Sequence, residues 1–279
     1  MIVRKSPAKV NLLLHVLGKR QDGYHDLATL MQKISLYDEI LFIPTGTGIK
    51  VTCPDSSLPE DERNIVYRAA RALFSRVSES PGIEIVIKKR IPVAAGLGGG
   101  SSNAATTLVS LNELFRFNLS PHDLIEIGAT IGADVPFFIF GNAAWAFGIG
   151  DRLEPAGKIP PMWFVLVNPG FEISTKMVYE NLNLGLTKEM IQFNIPKFFS
   201  LEDIAGRLWN DLERVTLSLH PALKELKGLL IENGALGSLM SGSGPTVFGV
   251  FAGRQDAEKA HRALSRREDL SVFTAHSLE

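Results

Sequence analysis

Polar and apolar positions alternate along residues 9–16. Lys9, Asn11, Leu13 and His15 share one side of an extended chain, and Val10, Leu12, Leu14 and Val16 share the other. That two-residue period predicts a strand, and its polar face leaves a half-solvated edge strand open. Residues 34–43, 48–53, 83–87, 163–167 and 270–276 read as further strands. Three- and four-residue spacing marks the helices between them. Residues 64–74 form one, with Asn64 at its start as an N-cap. Ala104, Leu108, Leu111 and Phe115 share the face of a second. Ser120 and Pro121 open a third, with Leu124, Ile127 and Ile131 inward. Ser200 caps a helix whose inward face is Ile204, Leu208, Leu212 and Val215. Pro221 opens another around Leu223, Leu226 and Leu230, stopped by Gly234, and residues 256–266 form the last. Residues 54–62 read as an acidic loop, and residues 237–251 as two strands joined by a glycine hairpin. The turn-rich passage 148–161 places a domain boundary between 1–152 and 153–279.

Length and charge limit what such a chain does. Its 279 residues, 45% hydrophobic, suffice for one large core or two ordinary ones. The 29 Lys plus Arg nearly cancel the 30 Asp plus Glu, so bulk electrostatics suggests no nucleic-acid partner. The single Cys53 excludes an intrachain disulfide and a cysteine-based zinc site, and fits a reducing compartment. The first twenty residues do not read as a signal peptide. The most apolar stretch, 135–149, is too short to cross a bilayer. The expectation is a cytoplasmic protein without a membrane partner.

Candidate chemistry centres on Pro92-Val93-Ala94-Ala95-Gly96-Leu97-Gly98-Gly99-Gly100-Ser101-Ser102-Asn103-Ala104-Ala105. A strand precedes this stretch and a helix follows it. Glycine lets backbone N–H groups converge on one point, and a helix N-terminus favours negative charge. The loop is therefore expected to hold nucleotide phosphates. It is neither G-x-x-x-x-G-K-[ST] nor G-x-G-x-x-G, since no Lys follows the glycines and Ser101 stands where the last Gly of the second pattern falls.

The stretch resembles the glycine-rich motif of the GHMP kinases, with two extra glycines before Ser101. Ser6-Pro7-Ala8-Lys9-Val10-Asn11-Leu12 is similar to the first motif of that family, and residues 237–251 to its third. The G-L-G-G-G-S-S-N-A-A variant looks like the branch that phosphorylates 4-diphosphocytidyl-2-C-methyl-D-erythritol in the non-mevalonate isoprenoid route. The resemblance implies an α+β, two-domain GHMP kinase fold, with a ribosomal-S5-like N-terminal domain and a ferredoxin-like C-terminal domain. It implies ATP as phosphoryl donor, held by Pro92 to Ser102 and by Asn64 at the adenine. Lys9 and Asp134, the latter in Gly132-Ala133-Asp134-Val135-Pro136-Phe137, would be the catalytic pair, with Asp134 accepting the hydroxyl proton and Lys9 stabilising the alkoxide. Asn11 would contact substrate. Tyr24, in Asp22-Gly23-Tyr24-His25, would stack on the cytosine while His25 reads its edge and Tyr179 closes over it. On pattern alone Tyr24 and His25 read as loop residues and Tyr179 as a packing residue. Mg²⁺ is expected with ATP; no second acidic ligand stands out, and Ser101 or Ser102 with water is the donor set on offer. A monomer or weak homodimer is expected. Two alternatives stay open: another small-molecule kinase of the family, for a sugar, homoserine or mevalonate, and a non-catalytic ligand sensor of the same fold.

Overall fold

A computed structural model describes residues 1–54, 56–77, 81–182 and 193–279. Residue 55, in the expected acidic loop, lies outside them. The chain forms two compact units. The first comprises Met1–Ala8, Tyr37–Pro92 and Gly98–Gly141; the second comprises Lys9–Leu36, Val93–Leu97 and Asn142–Glu279.

The first unit takes the opening residues of β1 (Ile2–Lys19) and the far half of β2 (His25–Thr45). It adds β3 (Ile49–Thr52), α1 (Ile65–Phe74), β4 (Gly82–Lys88), α2 (Gly99–Phe115), α3 (Pro121–Ala129) and α4 (Val135–Phe140). β4 runs antiparallel to β2, with Leu41 opposite Val86, and parallel to β3, with Val51 opposite Ile85. Small residues let α1 and α2 pack closely: Ala69, Ala70, Ala104 and Ala105 are buried beside Leu73, Leu108 and Leu111. The α3 start carries a full capping box between Ser120 and Asp123. The residues expected as an apolar segment after Asp134 form the short helix α4.

One buried acid fixes how the chain leaves β4. Asp38 is fully buried and accepts bonds from Arg90 N (2.7 Å) and Ile91 N (2.8 Å) and from the Lys89 ammonium. Lys88 and Arg90, on either side of Lys89, are exposed. Lys89 departs from that, with a side chain only 7% exposed, because the Asp38 carboxylate gives its charge a buried partner.

The second unit holds the rest of β1 and β2, then β5 (Ala143–Gly148), β6 (Arg152–Pro155), β7 (Trp163–Asn168) and α5 (Thr175–Glu180). It continues with α6 (Leu201–Gly206), β8 (Trp209–Asn210), α7 (Asp211–Leu219), α8 (Ala222–Glu232), β9 (Gly237–Met240), β10 (Val247–Phe251), α9 (Arg254–Leu264) and β11 (Ser271–His276). Here β1 lies between β2 and β8, and every residue from Lys9 to Leu14 is buried. The half-solvated edge reading therefore fails: both faces of this strand are covered. β2 also begins nine residues before the expected strand, so His25 is its first residue.

A second sheet, ordered β11-β7-β10-β9, is antiparallel throughout. Alternate residues of its strands, Val165, Val167, Val247 and Phe251, join Leu223, Leu226 and Leu230 of α8 and Ala257, Ala260 and Leu264 of α9 in one core. The helix expected from Ser200 through Val215 is two helices. It stops at Arg207 because Asn210 does other work: its side chain caps α7 at Leu212 N (3.0 Å) and donates to Met240 O (2.8 Å) and Gly242 O (2.7 Å). Leu208 is left between the two helices, only partly buried.

Lys33 supplies a pH test of this unit. It is 8% exposed, and burial pushes its ammonium down to about 8. Between that value and the unfolded 10.5, the unfolded chain holds a proton the folded one lacks. Stability therefore rises with pH across that window and is lost again as pH falls through about 8. Urea midpoints at both ends of the window should show the rise, up to about 3 kcal/mol, and Lys33→Met should abolish it.

Candidate active site

Four buried polar side chains meet in the second unit. Lys9 Nζ donates to Asn11 Oδ1 at 2.6 Å, and both residues sit on β1 two positions apart, on one face. Asn11 Nδ2 donates to Thr29 Oγ1 on β2 (2.9 Å), which donates to Leu13 O (2.7 Å). Ser241, following β9, accepts a long bond from Asn11 N (3.4 Å) and donates to Gly96 O (2.9 Å). Lys9, Asn11, Thr29 and Ser241 are each at most 4% exposed. Charge and amide groups buried this deeply need such partners.

The glycine stretch turns through alternate positive-φ residues: Ala94 (φ 50), Gly96 (φ 76) and Gly98 (φ 69). Positive-φ turns of this kind are the backbone conformations from which anion-binding nests are built. In the second unit, Leu97 O accepts from Lys9 N at 2.9 Å, and a Cβ on Gly96 would stand 2.0 Å from Ser241 O. Only glycine permits that approach. In the first unit, Gly98 is the N-cap of α2, and no side chain caps the helix. The first N–H groups of α2, a 17-residue helix with no acidic residue in its first turn, are thus presented by bare backbone. Of the two serines, Ser102 is fully buried and accepts from Ser6 Oγ at 2.7 Å, while Ser101 is partly exposed.

Asp134 belongs to the first unit. It occupies the N-cap position of α4 and makes no side-chain capping bond there. Asn64 is 4% exposed and engaged at both ends: Oδ1 accepts from Val66 N (2.9 Å), and Nδ2 donates to Pro59 O (2.6 Å) and Cys53 Sγ (3.7 Å). The N-cap expected at the start of this helix is thus in place.

His25 and Tyr179 come together in the second unit, with ring centroids 5.0 Å apart. Burial, then the Lys19 charge, holds His25 below the usual histidine range, so at neutral pH one ring nitrogen donates and the other accepts. Tyr24 sits in the β1–β2 turn, 62% exposed, its N–H bonded to Asp22 Oδ1 (3.1 Å). Pattern reading missed Thr29 and Asn210. Thr29 lies in a stretch that carries no motif and Asn210 in one read for its helical period, and both bond to residues distant in sequence. Ser243, whose hydroxyl meets Thr175 of α5 at 2.7 Å, lies in the recognised third motif.

The second unit thus carries a buried lysine and a polar loop at Ser241, and the first a helix end without a side-chain cap, each a feature that phosphate chemistry can use. Comparison with known proteins names the class. The model of the GHMP kinases N terminal domain matches residues 64–142, and that of GHMP kinases C terminal matches 194–269. The 4-diphosphocytidyl-2-C-methyl-D-erythritol kinase of Syntrophus aciditrophicus is 58% identical over 98% of both chains. A crystal structure of 4-(cytidine 5'-diphospho)-2C-methyl-D-erythritol kinase, 36% identical, superimposes with a TM-score of 0.83 over 98% of this chain and 99% of the other. Homoserine kinase from Cytophaga hutchinsonii, 20% identical, superimposes at 0.71 over 99% and 94%, which shows the shared fold alone. The chain belongs to the GHMP kinase family, the ATP-dependent small-molecule phosphotransferases. Among the described residues, no helix is long and apolar enough to cross a membrane.

Proposed function

We propose that the chain transfers the γ-phosphoryl group of ATP to the 2-hydroxyl of 4-diphosphocytidyl-2-C-methyl-D-erythritol. The observation that carries the reading is the near-full-length likeness to relatives bearing that activity in their names. The ring pair of His25 and Tyr179 supports it, because a cytosine needs an aromatic face and a donor–acceptor edge. In this reading Tyr24 stacks from the turn. A sugar, homoserine or mevalonate substrate would leave that pair without a task.

Phosphoryl transfer asks for positioning and charge neutralisation more than covalent help. Backbone N–H groups between Val93 and Ser102 hold the phosphates; Pro92 has no N–H and shapes the entry. Asp134 accepts the proton of the 2-hydroxyl, and Lys9 stabilises the oxygen as negative charge grows on it. Asn11 contacts the methylerythritol end. Asn64 shapes the adenine side through its cap. Mg²⁺ would neutralise the phosphate oxygens. Among the described residues there is no cluster of three metal-ligating side chains; in this reading phosphates and water would hold the ion. Ser101 is the hydroxyl proposed for its shell, since Ser102 is already bonded to Ser6. The family-model matches on either side of residue 152 support a functional division there. A cytoplasmic monomer or weak homodimer completes the reading.

ADP release with ATP and Mg²⁺ tests it. The cytidine substrate should exceed galactose, homoserine and mevalonate by about 10⁴ in kcat/KM, the discrimination of a site that hydrogen-bonds its substrate. Preferred turnover of another alcohol would overturn the substrate and keep the kinase. ATP binding without turnover of any alcohol would favour a sensor.

A further inference from the structure

The Asn11 amide has two ends, and its surroundings decide which one faces Lys9. Thr29 Oγ1 lies 2.7 Å from Leu13 O and 2.9 Å from Asn11 Nδ2. A threonine hydroxyl carries one proton. Leu13 O is a carbonyl and only accepts, so that proton goes to it. The hydroxyl oxygen then meets Asn11 as an acceptor, and only the amide nitrogen satisfies it. The amide oxygen is thereby turned toward Lys9 Nζ, 2.6 Å away. A reversed amide would set its NH₂ against the ammonium and its carbonyl against a hydroxyl lone pair. Lys9, Asn11 and Thr29 are each at most 4% exposed, so water cannot relieve either repulsion.

We propose that Thr29 is a positioning residue for phosphoryl transfer: its hydroxyl orients the Asn11 amide, and the amide oxygen holds the Lys9 ammonium. The catalytic part of this inference rests on the kinase reading above; the amide orientation does not. Thr29 touches neither substrate nor nucleotide in this scheme. A lysine side chain has four rotatable bonds, and an acceptor fixed on a central strand removes much of that freedom. Asn11 alone could not supply the direction, because its amide is the group that needs orienting. The hydroxyl, rather than the size of the side chain, is the active feature.

The experiment compares Thr29→Val, which keeps the branched shape and loses the hydroxyl, with Thr29→Ser, which keeps the hydroxyl. Steady-state kinetics is paired with the ¹⁵N-labelled side-chain amide resonances of Asn, the Asn11 pair being the one lost in Asn11→Asp. In Thr29→Val, kcat should fall about 10–100-fold with KM for ATP within about twofold, as expected for one unsatisfied buried amide. The Asn11 amide protons should shift and exchange faster with solvent. Thr29→Ser should restore most of both. Three results overturn the proposal: an unchanged kcat in Thr29→Val, a lowered kcat with an unchanged Asn11 resonance, or a serine variant as impaired as the valine one. Should Thr29→Val not fold, Thr29→Ala gives the same comparison. If the wild type fails to turn over the cytidine substrate, the kinase reading falls, and the amide resonances still judge the orientation.

Discussion

Asp134→Asn is expected to fold and bind ATP as the wild type does, yet to release ADP about 10²–10⁴ times more slowly, the usual loss for a removed general base. Asparagine matches the shape of aspartate and cannot take a proton. The substitution is informative because of where the residue sits. Asp134 occupies the N-cap position of α4 without making a capping bond, so the helix loses no hydrogen bond with the charge. What it does lose is a negative charge at a helix N-terminus, about 0.3–1 kcal/mol. ATP should still bind while kcat collapses, and thermal unfolding of the same variant separates lost chemistry from lost stability. A kcat within about tenfold of wild type would mean that Asp134 orients the hydroxyl and that the proton leaves by another route.

The second large effect is structural. Gly96→Ala should cost more than about 4 kcal/mol, in the range reserved for backbone clashes and special conformations. The new Cβ would stand 2.0 Å from Ser241 O and 3.2 Å from Gly244 O, both backbone atoms that no rotamer change can move aside. The residue also sits at φ +76, where a side chain adds its own strain. Relief requires the loop to leave Ser241 and so to abandon the bond from Ser241 Oγ to Gly96 O. Calorimetry should record a fall in Tm of about 10 °C for a chain of this size, with weakened ATP binding beside it. Gly100→Ala is the control. Its Cβ would meet only Ile65 Cγ2, at 3.7 Å, and alanine is the better helix former, so Tm should hold or rise. Equal losses in the two variants would point to general glycine dependence of the loop rather than to the Ser241 contact.

Local signals made much of this molecule legible beforehand. Ser120 with Pro121, the inward leucines of α8 and the strand–loop–helix order around the glycines each carry their structure within about a dozen residues. Long-range pairings were invisible. Asp38 and Lys89, 51 residues apart, carry no mark of their pairing, because nothing in a single sequence says which acid a lysine will meet. Lys9 to Leu14 read as a two-faced strand because alternation predicts one wet face; a neighbouring strand on each side and packing on both faces overrode it. The continuous helical period from Ile204 to Val215 was broken by Asn210, whose amide finds backbone carbonyls at Met240 and Gly242. The residues proposed for the site divide in the same way. The motif residues Lys9, Asn11 and Asp134 could be named from their neighbours in sequence. Thr29 could not, since its importance lies in one hydroxyl proton and its destination.

Cys53 lends the molecule an internal clock. The thiol is 2% exposed, and burial together with the nearby Glu60 charge raises its pKa, so the reactive thiolate is scarce in the native state. Its sulfur also accepts from the Asn64 amide that caps α1. A thiol reagent therefore gains access when local opening exposes the sulfur. Labelling kinetics at this one atom report excursions from the folded state, and do so without an introduced probe.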